Sequence, residues 1–164
     1  MDGWVIIVTL FTIMDFPAEK NNFLVEHVVD IRNSYRQLLS KDLIPGLQSD
    51  QEFSRQLFYA PFAVVSHDTA SDPIFNYANL KALELFELSW EDFICLPSQL
   101  SAEPVNQAER ERLLAQVTAN GYIDHYEGVR ISSTGKRFKI SNAVVWNLTD
   151  KNQNYKGQAA WFEQ

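Results

Sequence analysis

The stretch Phe138-Lys-Ile-Ser-Asn-Ala-Val-Val-Trp-Asn-Leu148 decides the fold class of this chain. Successive side chains of a β-strand point to opposite faces, so residues two apart share a face. Lys139, Ser141 and Asn147 then lie on the face that we expect to meet solvent. The opposite face carries apolar side chains and one amide: Phe138, Ile140, Asn142, Val144, Trp146 and Leu148. The stretch therefore predicts a long strand with one buried face.

Two further strands flank this one. On its N-terminal side, a strand carries Ile123, Val129 and Ile131 on one face and is followed by a polar hairpin loop. On its C-terminal side, the turn Lys151-Asn-Gln-Asn154 leads into a last strand, Tyr155 to Phe162. These three strands form an antiparallel meander.

The segment before the meander predicts two shorter strands and several helices. Residues 62–66 and 74–78 are rich in β-branched and aromatic side chains, as strands are. Asn79 and Ser89 are N-cap residues for two short helices, and a longer helix is expected over residues 106–121. Two strands, helices and three strands, in this order, predict an α+β domain with a five-stranded antiparallel sheet covered by short helices.

The N-terminal region predicts a helical extension of this domain. Asp15 and Pro17 form a helix-start signal, and the helix is expected to run to about Ser40. A capping box, Ser49-Asp-Gln-Glu52, begins a second helix that ends near Tyr59.

The first of these helices has a narrow apolar stripe. Its members recur at spacings of four, three, four and three residues, which places them on one side of a helix: Leu24, Val28, Ile31, Tyr35 and Leu38. Such a stripe packs either on the domain's own sheet or on the same helix of a second copy, as a dimer seam. Both alternatives stay open, and the second makes this helix a candidate interaction site.

An apolar run, residues 4–14, precedes the helices. Its eleven residues are too few to span a bilayer, which needs about 20. Acidic residues flank the run, whereas a secretory signal begins with basic ones. The run is either a docking segment or the product of a start codon placed too far upstream. We expect no membrane span and a cytoplasmic protein, with residues 1–16 as a separate segment, 17–59 as the helical region and 60–164 as the sheet domain.

The composition limits the partners and the chemistry. The 164 residues include 21 acidic and 14 basic side chains, and the net charge of −7 disfavours nucleic acid and anionic membranes as partners. The single cysteine, Cys95, excludes an internal disulfide and a Cys-rich zinc site, and we interpret it as a small buried apolar residue. The three histidines, His27, His67 and His125, lie on separate elements, so no metal site is expected.

The tripeptide Ser66-His67-Asp68 contains the residue types of a catalytic triad. Because Ser66 and His67 are consecutive in a strand, their side chains point to opposite faces and cannot act together as nucleophile and base. We expect Asp68 to cap a turn instead. No other catalytic constellation stands out in the sequence, which predicts a non-enzymatic protein.

A polar residue on an apolar face is the best indication of a binding pocket. A buried amide without partners costs roughly 1–3 kcal/mol, so Asn142 on the predicted core face indicates a cavity. The candidate pocket residues are His67, Asn76, Tyr77, Trp90, Tyr126, Arg130, Asn142, Trp146 and Gln158. The alternatives are a solid core with an internal hydrogen-bond network and an exposed sheet face that binds a partner protein.

Short motifs within residues 60–164 point to a known family. In chain order they are Ser66-His67, Asp72-Pro-Ile-Phe-Asn-Tyr-Ala-Asn79, Pro97-Ser98, Ser101-Ala-Glu-Pro104, Trp146-Asn147 and Gly157-Gln-Ala-Ala160. Together they resemble the MEKHLA family, a PAS-related group, in its stand-alone bacterial form. Gln99 departs from the family pattern, in which an arginine usually follows Pro-Ser, and this puts in doubt any contact made by that arginine.

The resemblance implies a PAS-like fold and a role in sensing or in modulating protein association, with no established reaction. Light-sensing PAS proteins carry Asn-Cys-Arg-Phe-Leu-Gln, whereas Cys95 stands in Ile94-Cys-Leu-Pro-Ser-Gln99, so no flavin photo-adduct is implied and the cofactor stays unknown. The expected function is that of a non-enzymatic sensory or regulatory module that binds a small molecule or a signalling partner. The alternatives are a ligand-free module for protein interaction or homodimerisation, a small enzyme, and a flavin or haem sensor.

Overall fold

The structure, a computed structural model, describes residues 15–164 and contains one five-stranded sheet. Its strands are β1 (Ala63–His67), β2 (Phe75–Ala78), β3 (Tyr122–Ile131), β4 (Arg137–Thr149) and β5 (Tyr155–Glu163). They lie in the order β2-β1-β5-β4-β3, and every neighbouring pair is antiparallel. The α+β fold with a five-stranded antiparallel sheet, predicted from the sequence, is confirmed.

Helices from the described residues cover this sheet. They are α1 (Val25–Leu39), α2 (Asp50–Phe58), α3 (Leu80–Phe86), α4 (Trp90–Phe93) and α5 (Pro104–Asn120). None of these helices is long and apolar enough to cross a bilayer. The apolar run 4–14 lies outside the described residues.

Three helices begin at the caps that the sequence predicts. Ser49, Asn79 and Ser89 each accept a hydrogen bond from the backbone N–H three residues further on. Each bond satisfies one of the N–H groups that have no partner within their own helix. The start of α5 differs from the prediction, since the helix begins at Pro104 rather than at Asn106, with the proline in its first turn.

The start of α1 also corrects the sequence prediction. The helix does not begin at Asp15 and Pro17, because residues 22–24 all have a left-handed backbone, with φ of 50°, 54° and 59°. Within this segment the ring of Phe23 is buried and lies 5.7 Å from that of Phe58, centre to centre. A left-handed residue costs about 1–2 kcal/mol, and burial of an aromatic ring offsets such a cost.

The sheet is covered on both faces. On one face α1 packs against β4, where the ring of Tyr35 lies edge-on to Trp146 with centroids 5.0 Å apart. On the other face lies α5, whose Leu113 and Val117 pack against Val145 of β4. We call these two sides the α1 face and the α5 face. Because both faces are buried, the central strands carry apolar side chains on both faces.

The apolar stripe of α1 lies within the protein's own core. Val28, Ile31 and Tyr35 are buried, and Leu24 and Leu38 pack against the same core. The stripe therefore covers the α1 face of the sheet, which is the first of the two predicted alternatives. Val28, Ile31 and Tyr35 have almost no exposed surface with which to contact a second copy, so the burial favours this alternative over the dimer seam.

The strict alternation predicted for β4 fails at Asn142. The pairing of β4 with β5 shifts between residues 141 and 144, and Asn142 is exposed and has a φ of 54°. An extra residue in a strand moves all following side chains to the other face. Ile140 before the bulge and Val145 after it both lie on the α5 face, while Trp146 lies on the α1 face.

Candidate ligand cavity

A cavity of about 60 Å³ lies between α5 and the α5 face of the sheet. Most of its lining side chains are apolar, among them Val65, Leu113, Ile140, Ala143, Val145 and Ala160. A water molecule needs about 10–15 Å³ of such volume, so the cavity has room for about four to six waters, or for a ligand with that many non-hydrogen atoms.

His67 brings an acceptor to this cavity. It is the last residue of β1, and its side chain is buried. Nδ1 lies 2.9 Å from the carbonyl oxygen of Asp68, and because a carbonyl only accepts, Nδ1 carries the proton. In the neutral ring Nε2 is then an acceptor, and it is buried with no donor partner among residues 15–164, because its neighbour Gln158 acts on the ring as an acceptor. Burial lowers the pKa of His67, which favours this neutral form.

Gln158 stands opposite His67 in the pairing of β1 with β5. Its amide nitrogen lies 3.2 Å from the carbonyl oxygen of Leu114, 3.0 Å from Thr118 Oγ1 and 3.1 Å from Asn147 Oδ1. These contacts with α5 and β4 fix the orientation of the amide. The carbonyl oxygen is the remaining polar atom of a buried side chain that lines the cavity.

Arg110 reaches the cavity from α5, and its side chain is buried. Its Nη2 donates a hydrogen bond to Ser98 Oγ at 2.7 Å. Ser98 begins a 3₁₀ turn that ends at Ser101, whose hydroxyl donates to the Ser98 carbonyl oxygen at 2.7 Å. Burial, and to a lesser extent the charge of Arg130, lowers the pKa of Arg110 to about 10. The guanidinium group therefore stays positively charged at neutral pH.

Arg130, near the end of β3, is the second buried cation of this cavity. Its Nη1 donates to the carbonyl oxygen of Val129 at 2.9 Å, and its guanidinium carbon lies 5.9 Å from the centre of the Tyr126 ring. Neither Arg130 nor Arg110 forms an ion pair with a carboxylate of the described residues. Two positive charges thus line a mostly apolar cavity without anionic partners from this part of the chain.

Four of the nine predicted pocket residues meet at this cavity: His67, Tyr126, Arg130 and Gln158. Arg110 is absent from the sequence prediction, although a signal for it exists. It precedes Leu113 by three residues and Val117 by seven, so it shares their side of the helix. A charged residue in line with the buried side of an amphipathic helix indicates a buried cation.

Tyr77 and Trp146 lie on the α1 face, so they do not belong to the pocket as predicted. Tyr77 pairs with Ser66 across β1 and β2, and its ring lies 5.9 Å from that of His27 on α1. Trp146 packs against Tyr35 of the same helix. Paired residues share a face, and alternation alone does not tell which face of a doubly covered sheet holds a cavity.

Asn76, Trp90 and Asn142 also lie away from the cavity. Asn76 Oδ1 accepts a hydrogen bond from Ser66 Oγ at 2.6 Å, and Trp90 is buried among other aromatic rings. Asn142 accepts a hydrogen bond from His125 Nδ1 at 3.2 Å on the surface. The amide that indicates a pocket in the sequence therefore marks a solvent-exposed bulge, and its assignment to the pocket is corrected.

Ser66 has a histidine neighbour, but the arrangement is not that of an activated nucleophile. His27 Nε2 lies 2.8 Å from Ser66 Oγ, and since Ser66 donates its proton to Asn76, the histidine must be the donor. Ser66 is also buried. His125 Nε2 lies 3.8 Å from Asp124 Oδ2, beyond hydrogen-bond distance. Within residues 15–164, no group of three or more His, Cys, Asp or Glu side chains could hold a metal ion.

A flavin does not fit this cavity. The cavity volume of about 60 Å³ is well below the roughly 300–1,000 Å³ of pockets for drug-sized ligands. Cys95, predicted to be buried, is exposed and does not line the cavity. The cysteine follows α4 and lies in the short connection to the next turn, where its side chain faces solvent.

The solved structures that resemble this chain in fold are PAS and light-oxygen-voltage domains. The PAS domain of a protein from Colwellia psychrerythraea gives a TM-score of 0.61 at 16% identity, over 70% of this chain and 94% of that one. The light-state dimer of the fungal photoreceptor Vivid gives 0.52 at 14% identity, over 74% and 98%. The PAS domain of a LuxR-family regulator from Burkholderia thailandensis, in complex with ethanol, gives 0.50 at 18% identity, over 68% and 95%. At these identities the likeness shows the fold alone.

No curated protein matches the sequence of this chain. The family model described as the MEKHLA domain matches residues 25–164, from the first residue of α1 to the end of the chain. This range contains every motif on which the resemblance rests. The chain therefore belongs to the MEKHLA domain family.

Proposed function

We propose that this domain is a PAS-like sensory or regulatory module that binds a small molecule in the cavity beside α5 and performs no reaction on it. The observation that carries the proposal is Nε2 of His67, a buried acceptor to which no described residue donates a hydrogen bond, in a residue that lines the cavity. Buried polar atoms in folded proteins nearly always have a partner, either protein or ordered water. A ligand in the cavity supplies that partner.

Stability alone does not account for the polar wall of this cavity. An unsatisfied buried donor or acceptor costs about 1–3 kcal/mol. An apolar side chain in place of His67 would fill the space without that cost, and apolar side chains in place of Arg110 and Arg130 would avoid the burial of two charges. A ligand that bonds to these groups recovers the cost when it binds, and water bonds to them when the ligand is absent.

One of the structural relatives supports a ligand of this size. The PAS domain of the LuxR-family regulator is in complex with ethanol, a molecule small enough for a cavity of about 60 Å³. Self-association has less support. Vivid forms a dimer in its light state, but the α1 stripe of the present chain is covered by its own sheet.

Ethanol and glycolate are the probes for testing the proposal. Each is titrated into the ¹⁵N-labelled full-length protein, and the backbone amide signals are followed by NMR. We expect saturable shifts at His67 and Gln158, which line the cavity, and none at Asn33, which is exposed on α1. The proposal is wrong if neither probe gives saturable shifts at the cavity amides.

A matched pair of variants locates the binding. Ala160→Leu places a larger side chain in the cavity and should abolish the shifts. Ala115→Leu makes the same change on the exposed side of α5 and should leave them intact. Thermal unfolding of both variants shows that the fold is kept, since overpacking costs about 1–3 kcal/mol. Equal binding by both variants would place the probe elsewhere.

A further inference from the structure

We infer that the ligand of this cavity is a small carboxylate, and that a 2-hydroxy acid of two or three carbons, such as glycolate or lactate, fits it best. The inference rests on the proposed function and adds the chemical class of the ligand. It is drawn from two buried guanidinium groups, from the size and apolar lining of the cavity, and from the acceptor nitrogen of His67.

Arg110 and Arg130 give the cavity its positive charge. Both side chains are buried, and each donates one hydrogen bond to a neutral protein oxygen, on Ser98 and Val129 respectively. A guanidinium group has five N–H donors, so most of them remain for a ligand. A charge taken out of water is costly unless it is paired. A bound anion supplies the pairing for both groups.

The protein itself does not supply this anion from the described residues. Asp72 and Glu111 act on Arg110 electrostatically, but neither forms an ion pair with it. Arg32, a buried arginine outside the cavity, shows the contrast. Its Nη1 lies 3.0 Å from Asp50 Oδ1, and its guanidinium group also donates to Gln48. Among the buried arginines of the described residues, the two without a carboxylate partner, Arg110 and Arg130, are those that line the cavity.

The shape of the lining favours a carboxylate over phosphate or sulfate. Guanidinium groups bind all of these anions. A tetrahedral anion presents oxygens on every side, and the apolar side chains of Val65, Val145 and Ala160 would leave some of them without donors. A carboxylate has oxygens at one end and carbon at the other, which matches a wall with both arginines and apolar groups. Room for about four to six non-hydrogen atoms limits it to two or three carbons.

His67 adds a requirement that a simple carboxylate does not meet. Nε2 is an acceptor in the neutral ring and needs a donor, whereas an ionised carboxylate only accepts. A hydroxyl group on the carbon next to the carboxylate supplies that donor. A 2-hydroxy acid therefore satisfies the arginines and the histidine together, while acetate satisfies only the arginines.

The test compares probes that differ in one group at a time. L-lactate, glycolate, acetate, neutral lactamide and inorganic phosphate are titrated into the ¹⁵N-labelled protein at constant ionic strength in chloride. Lactate and glycolate should bind at least about tenfold more tightly than lactamide, because a hydrogen bond to a charged group contributes more than one between neutral groups. Acetate, which lacks the hydroxyl group, should bind more weakly than glycolate.

Single substitutions assign the recognition to residues. Arg110→Gln should weaken lactate binding at least about tenfold, whereas Arg112→Gln, on the exposed side of the same helix, should leave it unchanged. His67→Phe should weaken lactate binding and leave acetate binding unchanged, so that the preference for the hydroxy acid disappears. If Arg110→Gln does not fold, Arg130→Gln provides the same comparison.

The possible results separate this inference from the proposed function. Lactamide that binds as tightly as lactate overturns the inference but leaves the proposed function intact, because a neutral molecule still occupies the cavity. Phosphate that binds more tightly than lactate overturns the carboxylate assignment. Equal affinities for acetate and glycolate overturn the role of the hydroxyl group. If no probe, ethanol included, shifts the cavity amides, both the inference and the proposed function fail.

Discussion

His125 on β3 and Asn142 on β4 both have a left-handed backbone, with φ of 53° and 54°, and a hydrogen bond of 3.2 Å joins His125 Nδ1 to Asn142 Oδ1. The register between β3 and β4 shifts at His125, and the register between β4 and β5 shifts at Asn142. The bulge at Asn142 turns Val145 toward α5 and Trp146 toward α1. The lining of the cavity therefore depends on the backbone at this position.

Substitution at Asn142 should affect stability through the backbone. We expect Asn142→Val to lower the free energy of unfolding by about 1–2 kcal/mol, because a β-branched residue fits a left-handed backbone poorly. Asn142→Gly, which accepts this φ, should change it by less than about 0.5 kcal/mol relative to the wild type. Both variants lose the bond to His125, so the difference between them in urea unfolding isolates the backbone effect. Equal stabilities would contradict this account.

Gly157 should be the least replaceable glycine near the cavity. Its φ is 123°, and an added Cβ would lie 1.9 Å from the carbonyl oxygen of His67. We expect Gly157→Ala to lower the free energy of unfolding by at least about 2 kcal/mol. Gly135, with φ of 85° and no atom within 4 Å of an added Cβ, is the control, and Gly135→Ala should cost about 1 kcal/mol. Chemical denaturation of both variants makes the comparison, and a smaller effect at Gly157 would contradict it.

Substitution of Ile31 should lower the stability of the fold and leave the oligomeric state unchanged. It is fully buried between α1 and the sheet, so Ile31→Ala should destabilise the protein by about 2–5 kcal/mol. Asn33→Ala, at an exposed position of the same helix, should change stability by less than about 0.5 kcal/mol. Size-exclusion chromatography of the folded variants should give the same elution volume as the wild type. A change of oligomeric state without loss of stability would restore the dimer seam.

His27 should make the protein less stable in mild acid. Burial lowers its pKa from 6.5 to about 4, so the unfolded state binds a proton that the folded state does not. The stabilisation is complete above pH 6.5 and is lost as the pH falls toward 4. Because His27 keeps some exposed surface, we expect a loss of about 1–2 kcal/mol between about pH 7.5 and about pH 5.

The variant His27→Gln tests this origin of the pH dependence. Glutamine retains an N–H donor for Ser66 and does not titrate, so the difference in unfolding free energy between the two pH values should shrink. His125→Gln, an exposed position, is the matched control and should leave that difference as in the wild type. An equal pH dependence in all three proteins would exclude His27 as its source.

Local patterns predict most of this fold, because the signals that create its elements act over a few residues. Alternating side chains define β4, and the caps at Ser49, Asn79 and Ser89 start their helices as predicted. The start of α1 is not predictable in this way. It depends on the burial of Phe23 against Phe58, residues that are distant in the chain.

The candidate site is predicted less completely, for two physical reasons. A bulge of one residue moves the later side chains of a strand to the opposite face. Strict alternation therefore places Asn142 and Trp146 on the same buried face, whereas in the structure Asn142 is exposed and Trp146 lies on the α1 face. Arg110 is missed because hydropathy places arginine in water. Its place in line with Leu113 and Val117 is the sequence signal for a buried cation, and the packing of α5 against the sheet shows that the guanidinium group is enclosed.

The backbone of β1 alone separates α1 on one face of the sheet from the cavity on the other. On one side Ser66 holds α1 through His27, and on the other side the next residue, His67, forms part of the cavity wall. A rigid peptide unit joins these two residues, with their Cα atoms about 3.8 Å apart. A contact that fixes the position of His67 from the cavity therefore also fixes the position of Ser66, the residue that holds α1 on the opposite face of the sheet.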